Sequence, residues 1–292
     1  MKYVFMTDAS CDLSQKQVDE AGVKVLPMEF KIEDKYYQHY PDCRLMSLEE
    51  FYDALKNGAM PKTTQINYMS FKAFFEPYLK AGKDVLYTGI PTGLSGTYDT
   101  CMIAVKELEE EYPDRKIVVI DSRCDSAGLG LLVYLAGKKY QKGATIEELE
   151  EFIVDTRDNI AHWFVVDDLE MLKRGGRISS VAATFGKALQ IKPLISCDET
   201  GKLYNAGKIR GKSNVIPTLE KYVKRDAIDP KKNIAFVAHA NNPEGAKELR
   251  KAIKGMFKEV QICPIGPIIG SHVGPGMLAV VFKGNRKTQT ND

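Results

Sequence analysis

Residues able to do chemistry gather in four short segments of the 292-residue chain: PKTTQ at 61–65, GIPTGLSGTY at 89–98, LKRGGRIS at 172–179 and IGPIIGSHVGPG at 265–276. Each falls where the hydropathy pattern predicts the end of a strand, the place where open α/β sheets bind ligands. In the second segment a strand is predicted to end at Thr88 and a long helix to begin near Ser95. The Ser95 hydroxyl and the first helical N–H groups can hold a phosphate or a carboxylate at the positive helix end. The same serine can serve as an N-cap with no ligand at all. GLSGT also approaches the hydrolase nucleophile elbow GxSxG, but Thr97 stands where the second glycine belongs.

His272 is the most informative of the four histidines because it lies among Gly266, Gly270, Gly274 and Gly276, with Pro267 and Pro275. A loop of that composition follows a constrained path and can present one side chain to a ligand. A histidine hydrogen-bonded within its own loop is the alternative. Lys173, Arg174 and Arg177 surround Gly175 and Gly176, either as a cationic clamp or as a solvated helix end closed by a glycine. His239 ends a predicted strand and reads as structural, while His39 and His162 have no supporting neighbours. Asp8, Asp12, Asp121 and Asp125 stand near strand ends, where cap and turn roles account for them. The dinucleotide pattern GxGxxG, the phosphate loop GxxxxGK(S/T) and a kinase-type catalytic loop are absent.

The elements that must position these segments follow from periodicity. Short β-branched or apolar runs alternate with stretches of helical period, which predicts an α/β fold with largely parallel sheets. Strands are predicted at 3–7, 23–30, 84–88, 116–121, 163–166, 234–239, 260–264 and 277–283, and helices at 14–21, 70–80, 95–112, 127–141, 213–224 and 243–257. Ser47 with Glu50 and Thr145 with Glu148 fit capping boxes that start two further helices, the second running to 160. Gly58 and Gly143 suit left-handed C-caps. The DETG turn at 198–201 joins 193–197 to 202–207 as a hairpin, so the second half should hold an antiparallel element. A boundary near Ala161 gives an N-terminal α/β domain at 1–160 and a C-terminal one at 161–292, with the polar tail after Gly284 expected to fray.

Composition narrows the function classes. The 41 basic and 39 acidic residues leave a net charge of +2, dispersed along the chain, which argues against a dedicated nucleic-acid surface. At 44% hydrophobic and 27% charged, the chain has the composition of a soluble globular protein and the length of two domains. Its six cysteines (Cys11, Cys43, Cys101, Cys124, Cys197 and Cys263) are scattered, without CxxC or zinc-ligand spacing, and read as reduced thiols of a cytoplasmic protein. The first residues lack a signal-peptide core, and the longest apolar run, LGLLVYLAG at 129–137, falls far short of the about 20 residues a membrane span needs.

In their order along the chain, TDASCDL, PKTTQ, GLSGTY, VVIDS, LKRGGRIS, IKPLI, GKIRGK and IGPIIGSHVGPG resemble the DegV family of bacterial fatty-acid-binding proteins over nearly the whole sequence. The resemblance implies an N-terminal domain with a mostly parallel sheet flanked by helices and a C-terminal domain with a mixed sheet and an antiparallel hairpin. One long-chain fatty acid, such as palmitate, stearate or oleate, would lie in a tunnel between them. It further implies a carrier without catalysis of its own, which presents the carboxylate to a separate ATP-dependent fatty-acid kinase. The acyl-phosphate then enters phospholipid synthesis. No cofactor, metal or nucleic acid is implied, and any membrane contact would be transient. Carried over by position, Thr63, Ser95 and His272 would hold the carboxylate, and Arg177 and Arg210 would lie near the head group or the kinase contact surface.

The residues agree with that implication on physical grounds. About 14 methylenes at about 0.8 kcal/mol each offer about 11 kcal/mol of gross driving force, so the tail can supply the affinity. The head group then needs only hydrogen bonds that satisfy its lone pairs. Phe71, Phe74, Phe75, Leu94 and Met102 are apolar and near the motifs, as tunnel wall or as ordinary core. The chain departs from the family pattern at Ala9, where serine is common, at Pro91 and Thr92 in place of two serines, and at Ile66, where proline is frequent. These departures bear on the entrance and on the preferred acyl chain. Two other readings stay open at the level of sequence: a serine esterase or acyltransferase using Ser95 and His272, and a phosphorylated metabolite held at the Ser95 helix start with arginine clamps.

Overall fold

A computed structural model describes residues 1–167, 169–178 and 191–286. The chain runs β1 (Tyr3–Asp8), a 3-10 turn (Ala9–Cys11), α1 (Gln15–Ala21), β2 (Lys24–Leu26), β3 (Met28–Ile32), β4 (Lys35–His39), α2 (Leu48–Lys56), β5 (Lys62–Thr63), α3 (Tyr68–Lys80), β6 (Asp84–Gly89), α4 (Thr97–Glu111) and β7 (Ile117–Asp121). It continues through α5 (Ser126–Tyr140), α6 (Ile146–Arg157), β8 (Ile160–Val165), α7 (Glu170–Arg174), β9 (Ile191–Cys197), β10 (Leu203–Arg210), α8 (Val215–Asp226), β11 (Ile234–His239), α9 (Pro243–Ile253), β12 (Glu259–Pro264), α10 (Pro267–Val273) and β13 (Leu278–Lys283). No helix among the described residues is long and apolar enough to cross a membrane.

The first half builds a four-stranded sheet in the order β2-β1-β6-β7, parallel throughout. All six residues of β1 are buried, as expected of a parallel strand covered on both faces. The second half builds a six-stranded mixed sheet, β10-β9-β8-β13-β11-β12, in which only β11 and β12 run parallel. The predicted hairpin is its β9–β10 edge. This is the two-part α/β architecture expected from the sequence.

Three departures have local causes. The run predicted as one strand at 23–30 divides at Pro27, which has no N–H to continue a ladder. Its second part joins β4 and β5 in a separate antiparallel sheet of order β4-β3-β5. The 265–276 segment, expected to be a loop, contains the short helix α10, with Pro267 at its first turn and Gly274 just past its end. The tail is ordered further than expected. Arg286 is buried, and its guanidinium donates to the carbonyls of Arg123, Arg157, Cys197 and Asp198. The rest of the tail, 287–292, lies outside the described residues.

Helix α5 holds the two sheets together. Twelve of its 15 residues are buried, and the other three, Leu135, Lys138 and Lys139, form a single half-buried stripe. It touches β1 of the parallel sheet and β8, β11 and β13 of the mixed one. The largest core therefore contains Phe5 and Leu86 from the first half together with Phe236 and Val281 from the second. The opposite face of the mixed sheet packs on α8 and α9, where Trp163 donates its indole N–H to Asp226 at 2.9 Å. The approach of α5 to β8 requires Gly128, since a Cβ there would lie 1.9 Å from the His162 ring. Gly128→Ala is therefore expected to lower stability by about 1–3 kcal/mol through overpacking, despite alanine's better helix propensity. Urea unfolding measures this; a stabilised variant would contradict the packing argument.

Candidate ligand-binding site

Thr63, Ser95, Arg177 and His272 all line one cavity between the halves of the chain. Each arrives on a different element. Thr63 ends β5, where it pairs with Phe30 of β3. Ser95 ends a turn in which the N–H groups of Leu94 and Ser95 both donate to the Pro91 carbonyl. His272 lies on α10, which packs against β3, β5 and α7. Arg177 follows α7 and reaches back to the turn, its Nε donating to the Leu94 carbonyl at 3.2 Å. The site is thus closed by direct bonds between segments far apart in sequence.

The central contact is between Thr63 Oγ1 and His272 Nε2, 2.9 Å apart. His272 Nδ1 faces the backbone of Gly175, where a Cβ would come within 2.4 Å of it, and has no hydrogen-bond partner. With the ring proton on Nε2, the imidazole donates to Thr63 and leaves the threonine hydroxyl hydrogen free for the cavity. Ser95 Oγ accepts the Thr97 N–H at 3.3 Å and bonds the Thr97 hydroxyl at 2.9 Å. If Thr97 donates, Ser95 also keeps a hydroxyl hydrogen for a ligand. The N-cap of α4 is Gly96, with no side-chain cap, so Ser95 stands one residue before the position the sequence suggested.

Arg177 brings a positive charge to the cavity wall, and Asp125 a carboxylate that His162 partners. Burial, reinforced by the Arg177 and Arg174 charges, pushes the His272 pKa down to about 4 from 6.5. The ring is therefore neutral at physiological pH. Burial also lowers the Arg177 pKa, without discharging a group this basic.

Not every expected residue comes to the site. Arg210 is exposed at the end of β10 and does not line the cavity. Lys173 and Arg174 are also exposed, leaving Arg177 as the cation of its segment in the cavity wall; Ser179 lies outside the described residues. Of the five apolar candidates only Leu94 lines the cavity. Phe71 and Phe75 are fully buried core, Phe74 packs beside them, and Met102 is exposed. The walls come instead from residues such as Leu172, Leu203, Ile268, Ile269 and Val273. Asp125, given a cap or turn role from sequence, stands at the N-cap of α5 without a side-chain cap bond; it lines the cavity, with its carboxylate 2.6 Å from His162 Nδ1. His162 therefore does have a partner, one that stands 37 residues away in sequence. A larger cleft of about 1080 Å³ is lined by Asp121, Asp155, Asp158 and Glu199 together with Arg123 and Arg286, and none of the predicted site residues lines it.

The His272 shift has a defined sign. A depressed pKa means that the fold prefers the neutral ring, so this contribution to stability is complete above about pH 6.5 and is lost as the pH falls through about 4. The His272 ring resonances are expected to titrate near pH 4 in an NMR series; a midpoint near 6.5 would show a solvated ring.

Comparison with known proteins identifies the family. The model of the DegV family, described as an uncharacterised protein family, matches residues 2–285. A DegV domain-containing protein of Clostridium perfringens is 37% identical over 98% of this chain and 99% of its own. The Lactococcus lactis protein YteA, also a DegV domain-containing protein, is 32% identical over 99% of this chain and 100% of its own. Among solved structures, a DegV family protein from Thermus thermophilus described by its fatty-acid binding superposes with a TM-score of 0.87, at 26% identity, over 97% of this chain and 100% of that one. A fatty-acid-binding DegV family protein from Streptococcus agalactiae gives a TM-score of 0.83, at 27% identity, over 97% and 98%. The family model and these relatives span nearly the whole chain, and the solved folds superpose on it: the chain belongs to the DegV family.

Proposed function

We propose that this chain is a cytoplasmic carrier that binds one long-chain fatty acid, such as palmitate, stearate or oleate, with its carboxylate held by Thr63, Ser95 and His272. Following the family resemblance, the carrier presents that carboxylate to a separate ATP-dependent fatty-acid kinase. The observation that carries the reading is the convergence of two hydroxyls, a neutral imidazole and one guanidinium on a cavity whose remaining wall is largely aliphatic. The Thermus and Streptococcus relatives described as binding fatty acids support the ligand class.

The chemistry of the site suits a carrier. Hydroxyl hydrogens from Thr63 and Ser95 satisfy two carboxylate lone pairs, and Arg177 supplies a compensating charge without a full bidentate clamp. An oxygen held this way keeps a lone pair with which to attack a phosphoryl group. The cavity encloses about 50 Å³, room for three or four waters at about 15 Å³ each. A head group and its first methylenes fit that space. The rest of the acyl chain has to displace the aliphatic walls, among them Leu94, Ile268, Ile269 and Val273.

The esterase alternative has less support in the geometry. Ser95 Oγ bonds to Thr97 and His272 Nε2 bonds to Thr63, so the two do not form the nucleophile–base pair a hydrolase needs. A fluorophosphonate probe is expected to leave Ser95 unlabelled, and labelling would favour the enzyme.

Mass spectrometry of an organic extract tests the carrier directly. A stoichiometric C14 to C20 fatty acid is expected from gently purified protein. The double variant Thr63→Ala with Ser95→Ala should fold and yet lose occupancy, because each substitution removes a head-group hydrogen bond worth about 1 kcal/mol. Unchanged lipid content in the folded double variant would remove these residues from the site.

A further inference from the structure

The TDASCDL segment at 7–13 does not touch the cavity, yet its two aspartates reach two of the four segments that line it, those of Ser95 and His272. Asp8 is fully buried. Its Oδ1 accepts from the N–H and hydroxyl of Ser10, and its Oδ2 accepts from the Tyr87 hydroxyl at 2.7 Å and the Ile90 N–H at 2.9 Å. Ile90 opens the loop that ends at Ser95. Asp12 is also buried; its Oδ1 accepts the Gly266 N–H at 2.8 Å, and its Oδ2 accepts the Ser126 hydroxyl at 2.7 Å. Gly266 is the N-cap of α10, the helix that carries His272.

The bond to Ser10 is an ordinary local cap, of the kind an aspartate at a strand end makes. The bonds to Ile90 and Gly266 span 82 and 254 residues, and a cap requires neither. We propose that Asp8 and Asp12 are positioning residues of the binding site, which set the separation between Ser95 and His272, with its partner Thr63, by gripping the backbones of the Ser95 loop and of α10. The ligand in this inference rests on the fatty-acid reading; the geometry does not.

The two grips differ chemically, and the difference makes them testable. Each oxygen of Asp8 accepts at least one backbone N–H, and an N–H cannot reverse its role. An asparagine there turns one amide NH2 against an N–H. Asp12 faces an N–H on one oxygen only, and its other partner is a hydroxyl that can accept as well as donate. Burial also pushes the Asp12 pKa up to about 8, so a neutral side chain already suits the place. Asparagine should therefore replace Asp12 and fail to replace Asp8.

The test titrates palmitate into the full chain and into Asp12→Asn, Asp12→Ala and Asp8→Asn, and follows the His272 ring nitrogens by NMR in lipid-free protein. Asp12→Asn is expected to bind within about threefold of the parent, and Asp12→Ala and Asp8→Asn to weaken binding about tenfold or more. The His272 resonances should move in Asp12→Ala and stay in Asp12→Asn. In the unsubstituted chain, slow amide exchange at Ile90 and Gly266 is expected, and this reading needs no variant to fold. Fast exchange at those amides would overturn the proposal. So would a folded Asp12→Ala with unchanged affinity and resonances, or an Asp12→Asn as damaging as the alanine. If the unsubstituted chain takes up no palmitate, the fatty-acid reading fails while exchange and resonances still decide the positioning role.

Discussion

The burial of α5 between two sheets is the constraint on which the rest of the structure depends. A helix buried on all but one narrow stripe must meet close partners around most of its circumference, which is why Gly128 presses against the His162 ring and Gly137 against Ala21. The same packing fixes the N-terminal end of α5 at the meeting point of both halves. There Ser126 reaches Asp12 of the first half, and Asp125 reaches His162 of the second. The cavity opens beside that point, with Asp125 in its wall. The site is therefore assembled by the core, and the loops around it inherit their positions from buried contacts.

Most of the architecture was legible in the sequence because it is written in local pattern. Buried β-branched runs mark β1, β6, β7 and β11, and the capping boxes at Ser47 and Thr145 form as their spacing requires. What escaped notice lacks a local signature. Strand β4, KYYQH, is largely exposed and shows no clean alternation of apolar and polar residues. Helix α10 hides behind glycines and prolines that read as a loop, although Pro267 and Gly274 are the residues that bound a short helix.

The site divides along the same line. Thr63, Ser95, Arg177 and His272 were found from residue type and motif order, and they share a cavity wall. The Asp125–His162 contact and the aliphatic walls on α10 arise from tertiary packing, for which one sequence carries no spacing rule. Phe71 and Phe75 were apolar and near the motifs, but they face Tyr87 in the core of the first half. Proximity in sequence to a binding motif says little about which face of a helix a side chain joins.

The electrostatics of the cavity follow from keeping charge near it without burying a bare ion. Burial, with the Arg177 and Arg174 charges behind it, keeps the His272 ring neutral rather than adding a second positive charge to a wall that already holds Arg177. A neutral imidazole can still fix the Thr63 hydroxyl through Nε2 and so turn the threonine's hydrogen toward the cavity. In the proposed reading the carboxylate is met by oriented neutral dipoles and one partly buried guanidinium. Such a site recognises a carboxylate by direction more than by strength. Strength must come from apolar surface, and the aliphatic walls that α10 brings to the same cavity are where that surface lies.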